Sequence, residues 1–144
     1  MNKFLTAETQ RAQRKPTMDT NELSKRIIGT AIEVHKVLGP GLLESAYEEC
    51  LCHELYLQKL SFERQRPLPI TYKNIKLDCG YKLDVFVEES IVLELKSCER
   101  IKPIHKAQLL TYLKLTGVNL GLLLNFNAVV MRDGIVRMVN KLKD

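Results

Sequence analysis

The hydrophobic positions of this 144-residue chain follow helical spacing first and strand-like runs afterwards. Apolar residues that recur every three or four positions predict a first helix, and they are Leu23, Ile27, Ala31, Val34 and Leu38. Asp19 and Glu22 resemble a capping box at its start. A Gly-Pro-Gly sequence at 39–41 breaks this helix, and the following pattern predicts a second helix to about residue 60.

Short strand-like runs come after the two helices. Residues 61–65 and 68–72 predict strands that are interrupted by prolines, with a turn near 73–74. An almost wholly apolar stretch between Tyr81 and Ser97 then predicts a two-stranded hairpin. The predicted structure therefore changes from helix to sheet near the middle of the chain.

The last third of the chain returns to a helix and then to strands. Pro103 suits the first turn of a third helix, which we expect to end before Gly117. Residues 120–126 predict a buried strand. Residues 128–131 and 135–139 flank an Asp-Gly pair, which predicts a second hairpin.

Three charged residues lie inside the apolar runs of the first hairpin: Asp84, Glu94 and Lys96. Ionised side chains in a strand with two buried faces are costly unless they are paired or bind a metal. Glu94 and Lys96 are two residues apart and so share one face. A three-residue turn after Val87 would pair it with Ile91. Because the same register sets Asp84 opposite Glu94, the sequence predicts two carboxylates and a lysine on one patch.

Converging carboxylates suit a hard divalent cation such as Mg²⁺, whose remaining positions are filled by waters and substrate phosphates. Such an ion activates water, and a neighbouring lysine can stabilise charge on a phosphoryl group. These residues therefore point to phosphate chemistry, with Asp84 and Glu94 as ligands and Lys96 as the catalytic cation. The alternative is an ordinary salt-bridged cluster on a solvated sheet face, since structural ion pairs also perturb pKa values.

Composition bounds the class of protein. The chain is 45% hydrophobic and 27% charged, as is typical of one soluble globular domain, and no apolar run approaches the length of a membrane span. The net charge of +5 favours a polyanionic partner without requiring one. We expect a flexible leader at 1–19 and one domain at 20–144, with Met18 as an alternative start. A cytoplasmic location is expected because the leader lacks the apolar core of a secretory signal.

The motifs together resemble the PD-(D/E)XK nuclease superfamily, and more closely its small GxxExxY protein family. The likeness covers about residues 23–140. It is carried by GLLESAY at 41–47, GYKLD at 80–84, ELK at 94–96 and QLLTY at 108–112. One departure is Leu83, which stands where the superfamily's name has proline and weakens recognition more than chemistry.

The resemblance implies an α/β fold, with a single-domain restriction-endonuclease-like core and a central mixed sheet flanked by helices. In such a site Asp84 and Glu94 bind Mg²⁺ or Mn²⁺, with the Leu95 carbonyl as a further ligand. Lys96 assists the attack of water. Glu44 matches a glutamate that approaches the metal directly or through water, although local sequence alone favours a role in stabilising its helix.

The same likeness implies residues that contact nucleic acid. Gln108 and Tyr112 would hold or orient the DNA backbone, and their spacing places them on one helix face. The alternative for both is the polar edge of an amphipathic helix. Lys82 is either a phosphate contact or a solvated side chain. We interpret the histidines at 35 and 105 as hydrogen-bonded structural residues because they lack partners at metal-ligand spacing.

These observations predict a metal-dependent nuclease that hydrolyses phosphodiester bonds of nucleic acid, with DNA as the expected substrate. One alternative is a catalytically silent module of the same fold that binds nucleic acid or protein. Another is a small regulatory or interaction protein whose charged cluster is structural, which would bind no magnesium. Because a chain this small has a limited DNA-binding surface, a homodimer or a larger protein partner is also expected.

Overall fold

The computed structural model describes residues 18–141, so the predicted leader lies outside the described residues except for its last two positions. The described chain contains three α-helices and seven strands. The helices are α1 (Thr20–Leu38), α2 (Glu44–Leu57) and α3 (Pro103–Thr116). The strands are β1 (Phe62–Pro67), β2 (Ile70–Tyr72), β3 (Ile75–Leu77), β4 (Lys82–Val87), β5 (Ile91–Lys96), β6 (Leu120–Asn125) and β7 (Ile135–Val139). None of the described helices has the length and apolarity needed to cross a membrane.

Five of the strands form a mixed sheet in the order β1-β4-β5-β6-β7. The pairs β1–β4, β4–β5 and β6–β7 are antiparallel, whereas β5 and β6 are parallel. A parallel pair requires a crossover, and α3 provides it. The predicted α/β fold with a central mixed sheet flanked by helices is confirmed.

The central strands are predominantly apolar because helices cover both faces of the sheet. On one face, Leu93 and Leu95 of β5 belong to the hydrophobic cluster that includes core residues of α1 and α2. On the other face, Val92 packs in a second cluster with Leu109 and Leu113 of α3. A charged residue in β5 therefore lies in an apolar setting on either face.

The helix ends follow local sequence signals closely. Asp19 caps α1, since its Oδ1 accepts a hydrogen bond from the backbone amide of Asn21 at 2.9 Å. Gly117 ends α3 at φ 77°, a left-handed conformation that glycine adopts without strain. Helix α2 ends at Leu57, earlier than predicted, because Lys59 already has φ 62° and cannot continue the helix.

The second predicted hairpin is wrong. Met131–Gly134 forms a 3₁₀ helix, and β7 pairs with β6 across the sheet rather than with residues 128–131. A two-residue hairpin turn needs positive φ at its central residues, and Asp133 and Gly134 are not among the described residues with positive φ. Gly134 packs instead against the backbone of Asn125 and the side chain of Ala128.

This packing predicts that Gly134→Ala lowers the free energy of unfolding by about 1–3 kcal/mol. An added Cβ would overlap the carbonyl oxygen of Asn125, which belongs to a buried strand and has little room to move. Gly29→Ala is the matched control, since Gly29 is exposed within α1 and its added Cβ would meet no atom within 4 Å. It should raise the stability by about 0.5–1 kcal/mol. Urea denaturation measures both, and an unchanged Gly134→Ala variant would contradict the prediction.

Candidate active site

The candidate site lies where β4 and β5 separate. Their backbone pairing begins with Val87 opposite Ile91, as the three-residue turn predicts, and its last regular pair is Val85 with Leu93. Beyond that point, carboxylates accept the hydrogen bonds of backbone amides. The Leu95 amide donates to Asp84 Oδ2 at 2.9 Å, and the Asp84 amide donates to Glu94 Oε2 at 3.1 Å. The structure thus brings the two predicted carboxylates together. Each accepts a hydrogen bond from the strand that carries the other.

Burial governs the electrostatics of this carboxylate pair. Glu94 is only 6% exposed, and burial followed by the nearby charge of Asp84 raises its pKa from 4.5 to about 8. Burial likewise raises the pKa of Asp84, against the hydrogen bond from the Leu95 amide and the charge of Lys96. The surroundings of both carboxyl groups therefore disfavour their ionised forms.

The protein supplies little positive charge to this pair. The ion pairs among the described residues involve Arg64 and Arg66, and none of them includes Asp84 or Glu94. Lys96, half-buried at the end of β5, acts on both carboxylates through space and lowers the pKa of each. Carboxylate oxygens that are shielded from solvent and have little positive charge around them are suited to bind a hard divalent cation.

Glu44 lies near the pair but not in a common cluster with it. It is the exposed first residue of α2, and its charge raises the pKa of both Asp84 and Glu94. Within residues 18–141, however, no three His, Cys, Asp or Glu side chains converge closely enough to hold one metal ion. An indirect approach of Glu44, through water, therefore fits the geometry better than direct ligation beside the other two carboxylates.

Tyr47 fixes the turn that presents Glu44. Its hydroxyl donates to the Gly39 carbonyl at 2.6 Å and accepts from the Leu42 amide at 3.1 Å. Its ring stacks on Phe126, with 4.6 Å between ring centroids. The buried tyrosine therefore holds the loop and the start of α2 against the end of the sheet.

A polar network behind the site was missed in the sequence. Glu48, one helical turn after Glu44, is buried and accepts hydrogen bonds from Arg64 Nε at 3.0 Å and Nη2 at 2.9 Å. Its other oxygen accepts from Gln65 Nε2 at 2.8 Å, and the same Nε2 lies 3.5 Å from Asp84 Oδ1. The available signal was the i, i+4 spacing of the two glutamates, which places them on one helix face.

Gln65 makes these contacts from an unusual backbone conformation. It lies in β1 with φ 52°, a left-handed value that is uncommon for residues other than glycine. The regular pairs of β1 with β4 include Arg64 with Val85 and Arg66 with Leu83, and Gln65 is passed over between them. A strained residue is thus retained directly beside Asp84.

The predicted nucleic-acid contacts lie on the adjoining side of the site. Gln108 Nε2 donates to the Tyr112 hydroxyl at 2.9 Å, so the two side chains form a pair on α3. Burial, followed by the charge of Glu94, raises the pKa of Tyr112, which indicates that it faces the carboxylates. Lys82 is exposed at the start of β4.

The two histidines that the sequence singles out are both hydrogen-bonded. His35 Nε2 donates to the Ala128 carbonyl at 2.7 Å. His105 Nδ1 accepts from the Lys102 amide at 3.0 Å, at the start of α3. Partial desolvation, followed by the charge of Lys96, lowers the pKa of His105. These bonds agree with the structural interpretation of both residues.

The sequence profile of the PD-(D/E)XK nuclease superfamily matches residues 21–138. The chain belongs to this superfamily. No curated protein and no solved structure shows significant similarity to it. The PD-(D/E)XK match spans every candidate residue from Glu44 to Tyr112, and members of the superfamily are typically nucleases that use Mg²⁺ or Mn²⁺, although some are inactive.

The raised pKa of Glu94 predicts how stability depends on pH in metal-free protein. The folded chain keeps a proton on Glu94 that the unfolded chain loses between pH about 4.5 and 8, so the free energy of unfolding falls as pH rises through this window. Glu94→Gln removes this loss. Between pH 5 and 8 we expect the wild type to lose about 2–4 kcal/mol more than the variant.

Urea denaturation in chelator at the two pH values measures this difference. Glu99→Gln is the control, because Glu99 is exposed in the loop after β5 and should leave the wild-type pH dependence intact. Parallel pH profiles for Glu94→Gln and the wild type would show that Glu94 is ionised throughout.

The Gln65 amide predicts a separate effect on metal binding. Gln65→Met keeps the length of the side chain but removes the donor that links Glu48 with Asp84. Mutation of a residue that orients metal ligands typically lowers metal affinity tenfold or more. We therefore expect the Mn²⁺ affinity to fall about tenfold, as measured by electron paramagnetic resonance of free Mn²⁺. Gln58→Met is the control, since the Gln58 amide donates to Thr30 at the other end of α2. Equal affinities for all three proteins would refute the role of Gln65.

Proposed function

We propose that this protein is a metal-dependent nuclease that hydrolyses phosphodiester bonds of nucleic acid, with DNA as its substrate. The observation that carries the proposal is the pair of half-buried Asp84 and buried Glu94, cross-linked by hydrogen bonds where β4 and β5 separate. Membership of a superfamily of nucleases supports it. A purely structural cluster would pair these carboxylates with nearby cations, and the described ion pairs do not include them.

The residues of the site fit a divalent cation. Asp84 and Glu94 would hold Mg²⁺ or Mn²⁺, with the Leu95 carbonyl as a further ligand and Glu44 acting through water. A cation in this position offsets the desolvation that raises the pKa of both carboxylates. When bound, the ion supplies Lewis-acid stabilisation of the phosphate and lowers the pKa of water.

Lys96 supplies the remaining positive charge. Its ammonium, on the strand that carries Glu94, stabilises charge on the phosphate and orients the attacking water. The attacking water gives up a proton and its oxygen forms a bond to phosphorus. The bond to the leaving oxygen breaks at the same time, and that oxygen takes up a proton, so that protons balance overall. Half-burial of Lys96 strengthens these interactions because bulk water screens them less.

The nucleic-acid backbone is held beside the carboxylates. Tyr112 and Gln108 form a hydrogen-bonded pair that retains further polar atoms for phosphate oxygens. Lys82, exposed two residues before Asp84, adds a charge for the next phosphate along the strand. The net charge of +5 supports a polyanionic substrate.

We also propose that the chain belongs to the narrower GxxExxY family. The spacing of that motif has a physical basis in this chain. Gly41 has φ 103°, which residues other than glycine rarely adopt. Glu44 begins a helix three residues later, and the Tyr47 hydroxyl returns to hold the loop. Each motif residue therefore has a distinct role in presenting Glu44 to the site.

Cleavage of end-labelled single-stranded and duplex DNA, with Mg²⁺ or Mn²⁺, tests the proposal. We expect the wild type to cut, chelator to stop it, and Asp84→Asn and Lys96→Met each to lower the rate by about a hundredfold or more. Glu99→Gln is the control and should cut like the wild type, because Glu99 is an exposed loop residue.

Two other outcomes have definite meanings. Equal activity of the wild type and both site variants would assign the activity to a contaminant and sink the proposal. An inert wild type that still binds oligonucleotides would favour the catalytically silent module of the same fold.

A further inference from the structure

An exposed β-hairpin projects from the chain directly beside the candidate site. We call residues 70–82 the hairpin arm, which contains β2 and β3. These two strands pair with each other in a two-stranded sheet of their own, separate from the main sheet. Every residue from 71 to 82 is exposed. The Leu68 amide donates to the Tyr81 carbonyl at 2.8 Å and closes the base of the arm.

One face of the hairpin arm is apolar and exposed. Tyr72 pairs with Ile75, and Ile70 pairs with Leu77, so these four side chains share a face. Tyr72 is 59% exposed and Ile75 is 58% exposed. An isolated two-stranded hairpin is only marginally stable in water, and exposed apolar patches commonly mark interaction sites. The described chain leaves this face available to a ligand.

The charge of the arm indicates which ligand it fits. Three lysines, at 73, 76 and 82, stand against the single acid Asp78 and give the arm a net charge of +2. The Lys73 ammonium lies 5.4 Å from the centroid of the Tyr72 ring, so a cation and an aromatic surface are presented together. Aromatic rings interleaved with lysines are typical of surfaces that bind single-stranded nucleic acid by base stacking and phosphate contacts.

The position of the arm links it to the site. The chain leaves the main sheet at Pro67 and returns at Lys82, two residues before Asp84. The Tyr81 ring, 43% exposed, packs edge-on against Tyr112 with 6.3 Å between centroids. A strand with a phosphate at the carboxylates would therefore pass the base of the arm.

We propose that the hairpin arm binds an unpaired segment of the nucleic-acid substrate, with bases stacked on Tyr72 and Tyr81 and a phosphate beside Lys73. Rings stack only on bases that are free of a duplex, so the arm selects single-stranded regions. This inference rests on the proposed nuclease function and specifies its substrate class.

Binding without turnover tests the inference. A fluorescent oligothymidylate and a duplex of equal length are titrated with the full chain in chelator, and fluorescence anisotropy gives the affinities. We expect Tyr72→Ala and Tyr81→Ala each to weaken binding of the single strand about tenfold and to change duplex binding less than about twofold. Tyr81→Phe should bind like the wild type because the ring is retained.

Tyr56→Ala is the matched control. Tyr56 is an exposed tyrosine near the end of α2 that is remote from Glu44, and its loss should not affect oligonucleotide affinity. Lys73→Ala should flatten the salt dependence of single-strand binding by roughly one released ion. Melting temperatures establish that each variant is folded.

The outcomes separate this inference from the nuclease proposal. If tyrosine variants lose single-strand affinity and the wild type cuts no DNA, the arm is a binding element and the nuclease proposal fails. If the wild type cuts DNA and the tyrosine variants bind and cut single strands normally, the arm inference is overturned. It is also overturned if Tyr72→Ala dissociates a dimer in light scattering while oligonucleotide affinity is unchanged, because the arm would then serve a second copy of the chain.

Discussion

The site depends on a change of hydrogen-bond acceptor where β4 and β5 separate. There two side-chain carboxylates, instead of backbone carbonyls, accept the hydrogen bonds of backbone amides. Asp84 accepts the amide of Leu95, and Glu94 accepts the amide of Asp84. Ladder bonds would have held the strands at a uniform spacing, whereas these side-chain bonds allow the strands to diverge while the Leu95 and Asp84 amides keep an acceptor. The opening in the sheet and the acidic lining of that opening thus have the same origin. Removing either carboxylate would alter both the charge and the shape of the site.

The rest of the fold maintains this opening. Apolar packing on both faces anchors β5, so Glu94 has little freedom to turn toward water. The strand continues into a loop that Asn125 holds in place, with its Oδ1 accepting from the Cys98 amide at 3.1 Å and its Nδ2 donating to the Cys98 carbonyl at 3.0 Å. On the other side, Tyr47 ties the start of α2 to the same end of the sheet. The ends of three elements are therefore fixed relative to one another around the carboxylates.

The sequence predicted the features that depend on residue spacing within one strand pair or one helix. The register of β4 with β5 followed from one turn and one apolar pattern, and the proximity of Asp84 to Glu94 came with it. The first and third helices followed from their caps and glycine stops. Features that depend on packing between distant segments were missed. The Asp-Gly pair at 133–134 forms part of a 3₁₀ helix because Gly134 packs on the backbone of β6.

The network behind the site was missed for a similar reason. Glu48 alone is an unremarkable helix residue, and Gln65 alone is an ordinary strand residue. Their relation appears only when β1 is placed beside both α2 and β4, and it also requires the left-handed backbone of Gln65. Local propensity argues against that conformation for glutamine, so tertiary contacts must stabilise it. The site roles of the individual residues stay predictions until the chain is assayed.

The separation of the hairpin arm from the main sheet has a consequence for how such a protein can change over time. No residue from 71 to 82 is buried, and the segment begins and ends at neighbouring positions of β1 and β4. Insertions, deletions or replacements there would leave the hydrophobic core and the carboxylate pair intact. Under the proposed roles, substrate preference and catalytic chemistry could therefore evolve almost independently, the first in a surface hairpin and the second in the strands that carry Asp84 and Glu94.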